Sequence, residues 1–137
     1  MTTSVPHSFM LAGSVFAVLG MLMGIGMGMS EDFTYSSVHA HINLVGWASL
    51  ALFGLGYRAG LAKLGRLAQF HFWAALPGAI VLPIGIYLSM AQHQPAMAII
   101  GSLITLASMI LFVVNVARAK GQGRTALLRG RLRLSAI

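Results

Sequence analysis

The sequence predicts an all-α fold, an integral membrane four-helix bundle, and three observations carry that expectation. Hydrophobic residues make up 58% of the chain and charged residues only 8%, against roughly 25% charged in an average soluble domain. So little charge cannot cover a water-facing surface, and lipid has to be part of the solvent. The chain also contains four apolar stretches near the length of about 20 residues that crosses a bilayer. Finally, its nine basic residues are confined to two places. Arg58, Lys63 and Arg66 form one group; Arg118, Lys120, Arg124, Arg129, Arg131 and Arg133 form the other. Positive charge gathered beside apolar spans marks cytoplasmic loops.

The whole chain, 1–137, is expected to be a single transmembrane domain. The first span covers residues 6–29, which carry no charge. It lacks a basic start and a clean small-residue cleavage site, so it reads as a retained helix rather than a signal peptide. Residues 30–36 form a polar loop holding both acids, Glu31 and Asp32. The second span, 37–57, is closed by Arg58, and 59–66 make a basic, glycine-containing loop. The third span, 67–90, contains Pro77 and Pro83, which are expected to kink it. A polar turn at 91–95 leads to the fourth span, 96–117, and a basic tail, 118–137. The charge pattern places the loop after the second span, the tail and the N-terminus on the cytoplasmic side of a bacterial-type inner (plasma) membrane. The Glu31/Asp32 loop and the turn at His93 then face outward.

Composition also excludes chemistry. With no cysteine, the chain has no disulfide, no thiolate metal site and no thioether attachment for a haem. The net charge of +7 is not read as nucleic-acid binding, because the basic tail has no aromatic side chains to stack on bases. It is read as a contact for anionic lipid and a topology signal.

Ionisable residues inside a bilayer are costly and tend to have a function, which directs attention to His7, His39, His41, His71 and His93. They sort by depth into two layers. His39, His41 and His93 lie toward the outer end, with the histidine pair within about 8 Å of it along the helix. His7 and His71 lie toward the cytoplasmic end. Residues so far apart in depth do not share one iron, so His41 and His71 make a poor pair. On an α-helix, positions two apart point roughly 200° apart, so His39 and His41 face opposite ways. One metal clamped by both is not expected, since helical zinc sites use spacing three or four. The ordinary alternative is that both bond to carbonyls or water near the interface. His7 and His93, at span ends, read as solvated residues. His71, beside Phe72 and Trp73, reads equally as part of an interfacial aromatic belt. Asn43 shares the face of His39, where it would orient a ligand or bond across helices. Trp47 and Tyr57 read as ordinary packing.

Gly20, Gly24 and Gly28 repeat at spacing four on the first span, which suits either internal helix packing or a subunit interface. Met21, Met23, Met27 and Met29 sit on the same span, and thioethers suit Cu(I). Gap-filling is the simpler role for flexible methionines.

The stretch SEDFTYSSVHAHINLVGWASLALFGLGY, residues 30–57, resembles the outward loop and tenth helix of subunit I of the haem-copper oxidases, including their nitric oxide reductase branch. The residues that carry the likeness are Asp32, Phe33, Thr34 and Tyr35, then His39-x-His41, then Gly46, Phe53 and Tyr57. GRLAQFHFW, residues 65–73, with Pro83 beyond it, is similar to the eleventh helix, and the glycine-rich first span to the ninth. In that family the two histidines of the motif ligate two haems on opposite faces of one helix. The resemblance therefore implies His39 and His41 as axial ligands of haem b iron, with His71, His7 and His93 as lesser candidates. It does not supply the rest of the family's machinery. The copper-centre histidines, the early helix with the second axial histidine and the intramembrane carboxylates and lysines have no counterpart here. Copper is accordingly disfavoured as a cofactor, and an oxidase-type enzyme with it. Since the family's subunit is a ring of three four-helix arcs, a homotrimer, preferred over a dimer, would imitate it. Haem would then be shared between protomers.

The function expected is haem b binding near the outer side of the membrane, in electron transfer or haem carriage. An enzyme handling nitric oxide or oxygen is an alternative that needs an open iron position. A copper or haem transporter or assembly factor is the other.

Overall fold

A computed structural model describes residues 4–134, with side chains described over residues 4–119. The described residues are helical apart from short connections. Helix α1 spans Ser4–Ser30, α2 Ser36–His41, α3 Leu50–Arg58, α4 Arg66–Gln92 and α5 Ala96–Leu134. Between α2 and α3, Ile42–Ser49 form a π-helical turn, so α2, the π turn and α3 make one continuous rod from Ser36 to Arg58. Four helices are thus long and apolar enough to cross a membrane: Ser4–Ser30, Ser36–Arg58, Arg66–Gln92 and Ala96–Ala119. At 1.5 Å rise per residue, the 27 residues of α1 extend about 40 Å.

The connections are set by local chemistry. After α1, Asp32 accepts hydrogen bonds on one carboxylate oxygen from the Thr34 backbone N–H at 2.9 Å and the Thr34 hydroxyl at 2.6 Å. This is an Asx turn, which ends one helix and starts the next. These bonds, the side-chain one first, hold the Asp32 carboxyl below its usual pKa. Helix α3 closes with a Schellman arrangement. Leu61 N–H bonds Gly56 C=O at 3.0 Å, Gly60 N–H bonds Tyr57 C=O at 3.2 Å, and Gly60 takes the left-handed conformation at φ 73°. Helix α4 ends at His93, which is also left-handed at φ 56°.

Helices α4 and α5 form a tight hairpin. Gly85 packs against the Ala98 backbone, and a Cβ on Gly101 would lie 2.6 Å from Leu82 Cα. Both glycines are there because backbone meets backbone. Pro77 and Pro83 lie inside α4 without ending it. Helix α1 lies along the other rod, where Gly46 in the π turn receives the Phe16 ring.

The main cluster of buried side chains starts at the basic end of the bundle. Val5, Phe9, Phe53, Tyr57, Ala62 and Ala68 form the core close to the basic loop, and Phe16, Leu50, Ala75 and Ala79 carry it on toward the middle of the bundle. Large apolar side chains such as Leu22, Leu44, Leu52, Phe70 and Leu103 are more than half exposed on the flanks. In water such flanks would be prohibitive; in hydrocarbon they are the solvent-facing surface.

Candidate functional site

Among the described residues, two histidine-containing groupings stand toward opposite ends of the bundle. At the acidic end stands the His39/His41 pair of α2. The Asx turn and the bond from His39 N–H to Tyr35 C=O at 3.1 Å start this helix, and both histidines fall before the π turn, in regular α geometry. They do face different ways. The His39 ring turns to α1, where its Cε1 would be 3.0 Å from a Cβ at Gly24. Asn43 lies beside it, donating to the His39 carbonyl at 2.9 Å, with its amide nitrogen 3.5 Å from either ring nitrogen. Gly20 leaves the space that the Asn43 side chain fills. The glycine stripe is therefore used inside the chain at Gly20 and Gly24, while a Cβ at Gly28 would meet nothing within 4 Å.

His41 behaves otherwise. Its Nδ1 lies 2.8 Å from the Ser37 carbonyl oxygen. A carbonyl only accepts, so Nδ1 carries the proton and the neutral imidazole leaves its lone pair on Nε2. No group among the described residues takes Nε2, and the ring is partly exposed beside the helix. A histidine whose Nδ1–H is anchored on a backbone carbonyl, with Nε2 free, is arranged as metal-ligating histidines usually are.

The second grouping lies at the basic end and is almost fully buried. The Tyr57 hydroxyl is 2.9 Å from His71 Nδ1 and accepts from the Asn115 side-chain amide at 3.0 Å. His71 is 0% exposed, and Tyr57 and Asn115 are each 1% exposed. Three helices, α3, α4 and α5, thus meet in one hydrogen-bonded chain. In the tautomer of neutral His71 that carries its hydrogen on Nε2, the Tyr57 hydroxyl donates to Nδ1 while accepting from Asn115. Nε2 is buried with no hydrogen-bond partner among the described residues. Around the His71 ring stand those of Phe53, Phe9 and Phe112, at centroid distances of 4.5, 5.0 and 5.5 Å. Ring faces accept N–H groups weakly.

This corrects two expectations. His71 does not lie at the surface as an aromatic-belt residue would: it is 0% exposed, whereas Phe70 and Trp73 are 67% and 68% exposed. Tyr57 is not ordinary packing, because its hydroxyl joins two helices. Asn115 was not singled out from the sequence, although an amide in a long apolar span is a signal that a polar bond is being made across helices. The remaining histidines are apart from both groupings. His7 is exposed near the start of α1, and His93 is exposed at the end of α4, where its backbone makes the turn. No three of His, Asp and Glu come together among the described residues.

An apolar cavity of about 510 Å³ lies between α1 and α4 and is lined by Leu11, Ala12, Val15, Phe16, Phe72 and Leu76 among others. It touches neither His39 nor His41.

No family model matches this chain, and neither a curated protein nor a solved structure is significantly similar to it. The fold defines a class: an all-helical chain with four helices long and apolar enough to cross a membrane, the mark of a multi-pass membrane protein.

Proposed function

We propose that this chain is a haem b-binding membrane protein that carries electrons or haem, with His41 as an axial ligand through Nε2. The observation that carries the reading is the 2.8 Å bond from His41 Nδ1 to the Ser37 carbonyl, which leaves Nε2 unpaired at the side of the rod. The resemblance of residues 30–57 to the tenth helix of haem-copper oxidase subunit I supports the same assignment. His39 suits a ligand less well in its present rotamer, since its ring is enclosed between Gly24 and Asn43. As the ligand of a second haem it would have to turn out of that slot.

Bound at His41, haem would supply a one-electron couple whose potential is set by the axial ligands and the polarity around them. The chain's own contribution is to fix the tautomer through Ser37 and to surround the site with apolar helix. His39, its neighbour on the same helix, turns to α1 instead, and the exposed face of His41 leaves the macrocycle to be covered from outside. A second copy of the chain is the natural source of a second axial ligand and of that cover, which favours a homo-oligomer, a trimer before a dimer, with haem shared between protomers. The orientation in this reading has the basic end and both termini on the cytoplasmic side, in a bacterial-type inner membrane.

The test is the spectrum of protein expressed with haem and purified in mild detergent, with a pyridine haemochrome assay for haem per chain. Sharp reduced bands of b-type haem, lost in His41→Ala and kept in His93→Ala, are the expected result. A fraction of a haem per chain identifies a shared site. A colourless protein, or bands indifferent to His41→Ala, overturns the assignment.

A further inference from the structure

At the basic end, beyond the buried tyrosine, a cavity of about 390 Å³ opens between the α3–α4 loop and α5. Lys63, Arg66 and Arg118 line it, together with Gly65 and Leu67, and Asn115 forms part of its wall. Three cationic residues from two separate segments thus border one open space. Ordinarily such a cluster is relieved by acids, but the chain's only two, Glu31 and Asp32, are in the loop at the opposite end of the rods. Among the described residues none of the three cations has an ion-pair partner. Like charges brought together without relief repel one another, so the arrangement calls for an anion.

The backbone adds to the same space. Helix α4 begins at Arg66 after Gly65, and no side chain caps it. The first intrahelical bond closes from Gln69 N–H to Gly65 C=O at 3.2 Å. The N–H groups of Arg66, Leu67 and Ala68 consequently have no partner within the helix. A 27-residue helix also brings its positive dipole end here. Cationic side chains around an uncapped helix start are what binds phosphate oxygens elsewhere.

We propose that this cavity is a phosphate-binding site, in which Arg66 and Arg118 fork onto the oxygens, Lys63 supplies a third charge and the first turn of α4 donates backbone N–H groups. The phosphate is either the headgroup of an anionic phospholipid in the adjoining leaflet or a soluble phosphate. The site is independent of the haem reading and stands or falls separately. It differs from a diffuse basic surface in being saturable and confined to these three residues. Because Asn115 both lines the cavity and bonds Tyr57, occupancy is expected to stiffen the buried Tyr57–His71 pair as well.

The experiment uses the full-length protein in an uncharged detergent, followed by thermal unfolding and calorimetric titration. One arm adds inorganic phosphate; the other adds phosphatidylglycerol, with phosphatidylcholine as the uncharged-headgroup control. Saturable stabilisation by phosphatidylglycerol alone assigns a lipid headgroup, and saturation by inorganic phosphate assigns a soluble ligand. Either result supports the site only if affinity falls about tenfold for each of Arg66→Gln and Arg118→Gln and is kept in the tail variant Arg129→Gln/Arg131→Gln/Arg133→Gln. Arg66→Lys, which keeps the charge, guards against a folding defect and is expected to retain most of the binding. No saturable effect from either probe, or an equal loss in the tail variant, overturns the proposal.

Discussion

The hydroxyl of Tyr57 is the most consequential single group in the bundle. It joins α3 to α4 through His71 and to α5 through Asn115, and all three side chains are buried. Tyr57→Phe keeps the ring packing and removes the oxygen, leaving His71 Nδ1 and the Asn115 amide without partners. The expected cost is about 1–3 kcal/mol of stability, read as a lower unfolding temperature in detergent. An unchanged melting curve would mean that the three groups are not bonded in solution. Asp32 gives a prediction of a different kind. Its hydrogen bonds from Thr34 depress the folded carboxyl pKa below the ordinary 3.8. A depressed acid contributes stability that is fully present above the unfolded value and is lost as pH falls through the folded one. The Asx turn should therefore persist at neutral and mildly acidic pH and open only below about pH 3.8. Exchange protection of the Thr34 amide, followed by NMR against pH, reports this directly.

At the scale of the helices, the glycine stripe of α1 separates into used and unused positions. A Cβ at Gly20 would collide with the Asn43 side chain, and one at Gly24 would press on the His39 ring. Gly20→Val is expected to destabilise by about 1–3 kcal/mol through overpacking. Gly28→Val, where nothing lies within 4 Å, should change the stability of the single chain by less than about 0.5 kcal/mol. If Gly28→Val instead disrupts an oligomer, seen by light scattering in detergent, then the C-terminal end of α1 is a subunit contact. The π turn belongs to this scale too. It was not expected from the sequence, whose apolar run through 42–49 reads equally as α-helix. Regular α geometry holds at His39 and His41 because the widened turn begins one residue later. The Ser49 hydroxyl bonds the Leu44 carbonyl five residues back, at 2.8 Å, within the widened turn.

Across the whole molecule, the two ends differ in how they are finished. The basic end is closed by aromatic packing around the buried Tyr57, His71 and Asn115, and its surface presents unpaired cations. Toward the acidic end α1 runs past its last close contacts, since neither Gly26 nor Gly28 has a neighbour within 4 Å of a Cβ. His41 stands on this more open part of the bundle. Among the described residues, His41 therefore offers an unpaired ring nitrogen at the side of the rod, and the apolar cavity between α1 and α4 lies away from it. From this follows the expectation that haem stoichiometry tracks assembly: dilution to monomers should release haem together with the subunits, checked by absorbance across size-exclusion fractions. Haem retained by a strict monomer would contradict sharing between copies.

The sequence by itself determined the class of molecule. Four apolar runs, scarce charge and cations gathered outside the runs leave little choice, because every backbone group inside hydrocarbon must be bonded within its own helix. The opposite facing of His39 and His41 was equally readable, since it depends only on helical geometry between near neighbours. Which of the two keeps a free nitrogen was not, because that depends on Gly24 and Asn43 closing over one ring while Ser37 anchors the other. The buried pair of Tyr57 and His71 was also beyond the sequence. They are 14 positions apart, on different helices, and Asn115 is a further 44 along the chain. Only the docking of α3, α4 and α5 brings them within bonding distance, and the tertiary fold decided that. The same docking converts a scattered set of basic residues into one lined cavity. Charge in a sequence has position but no convergence; convergence comes from how helices pack.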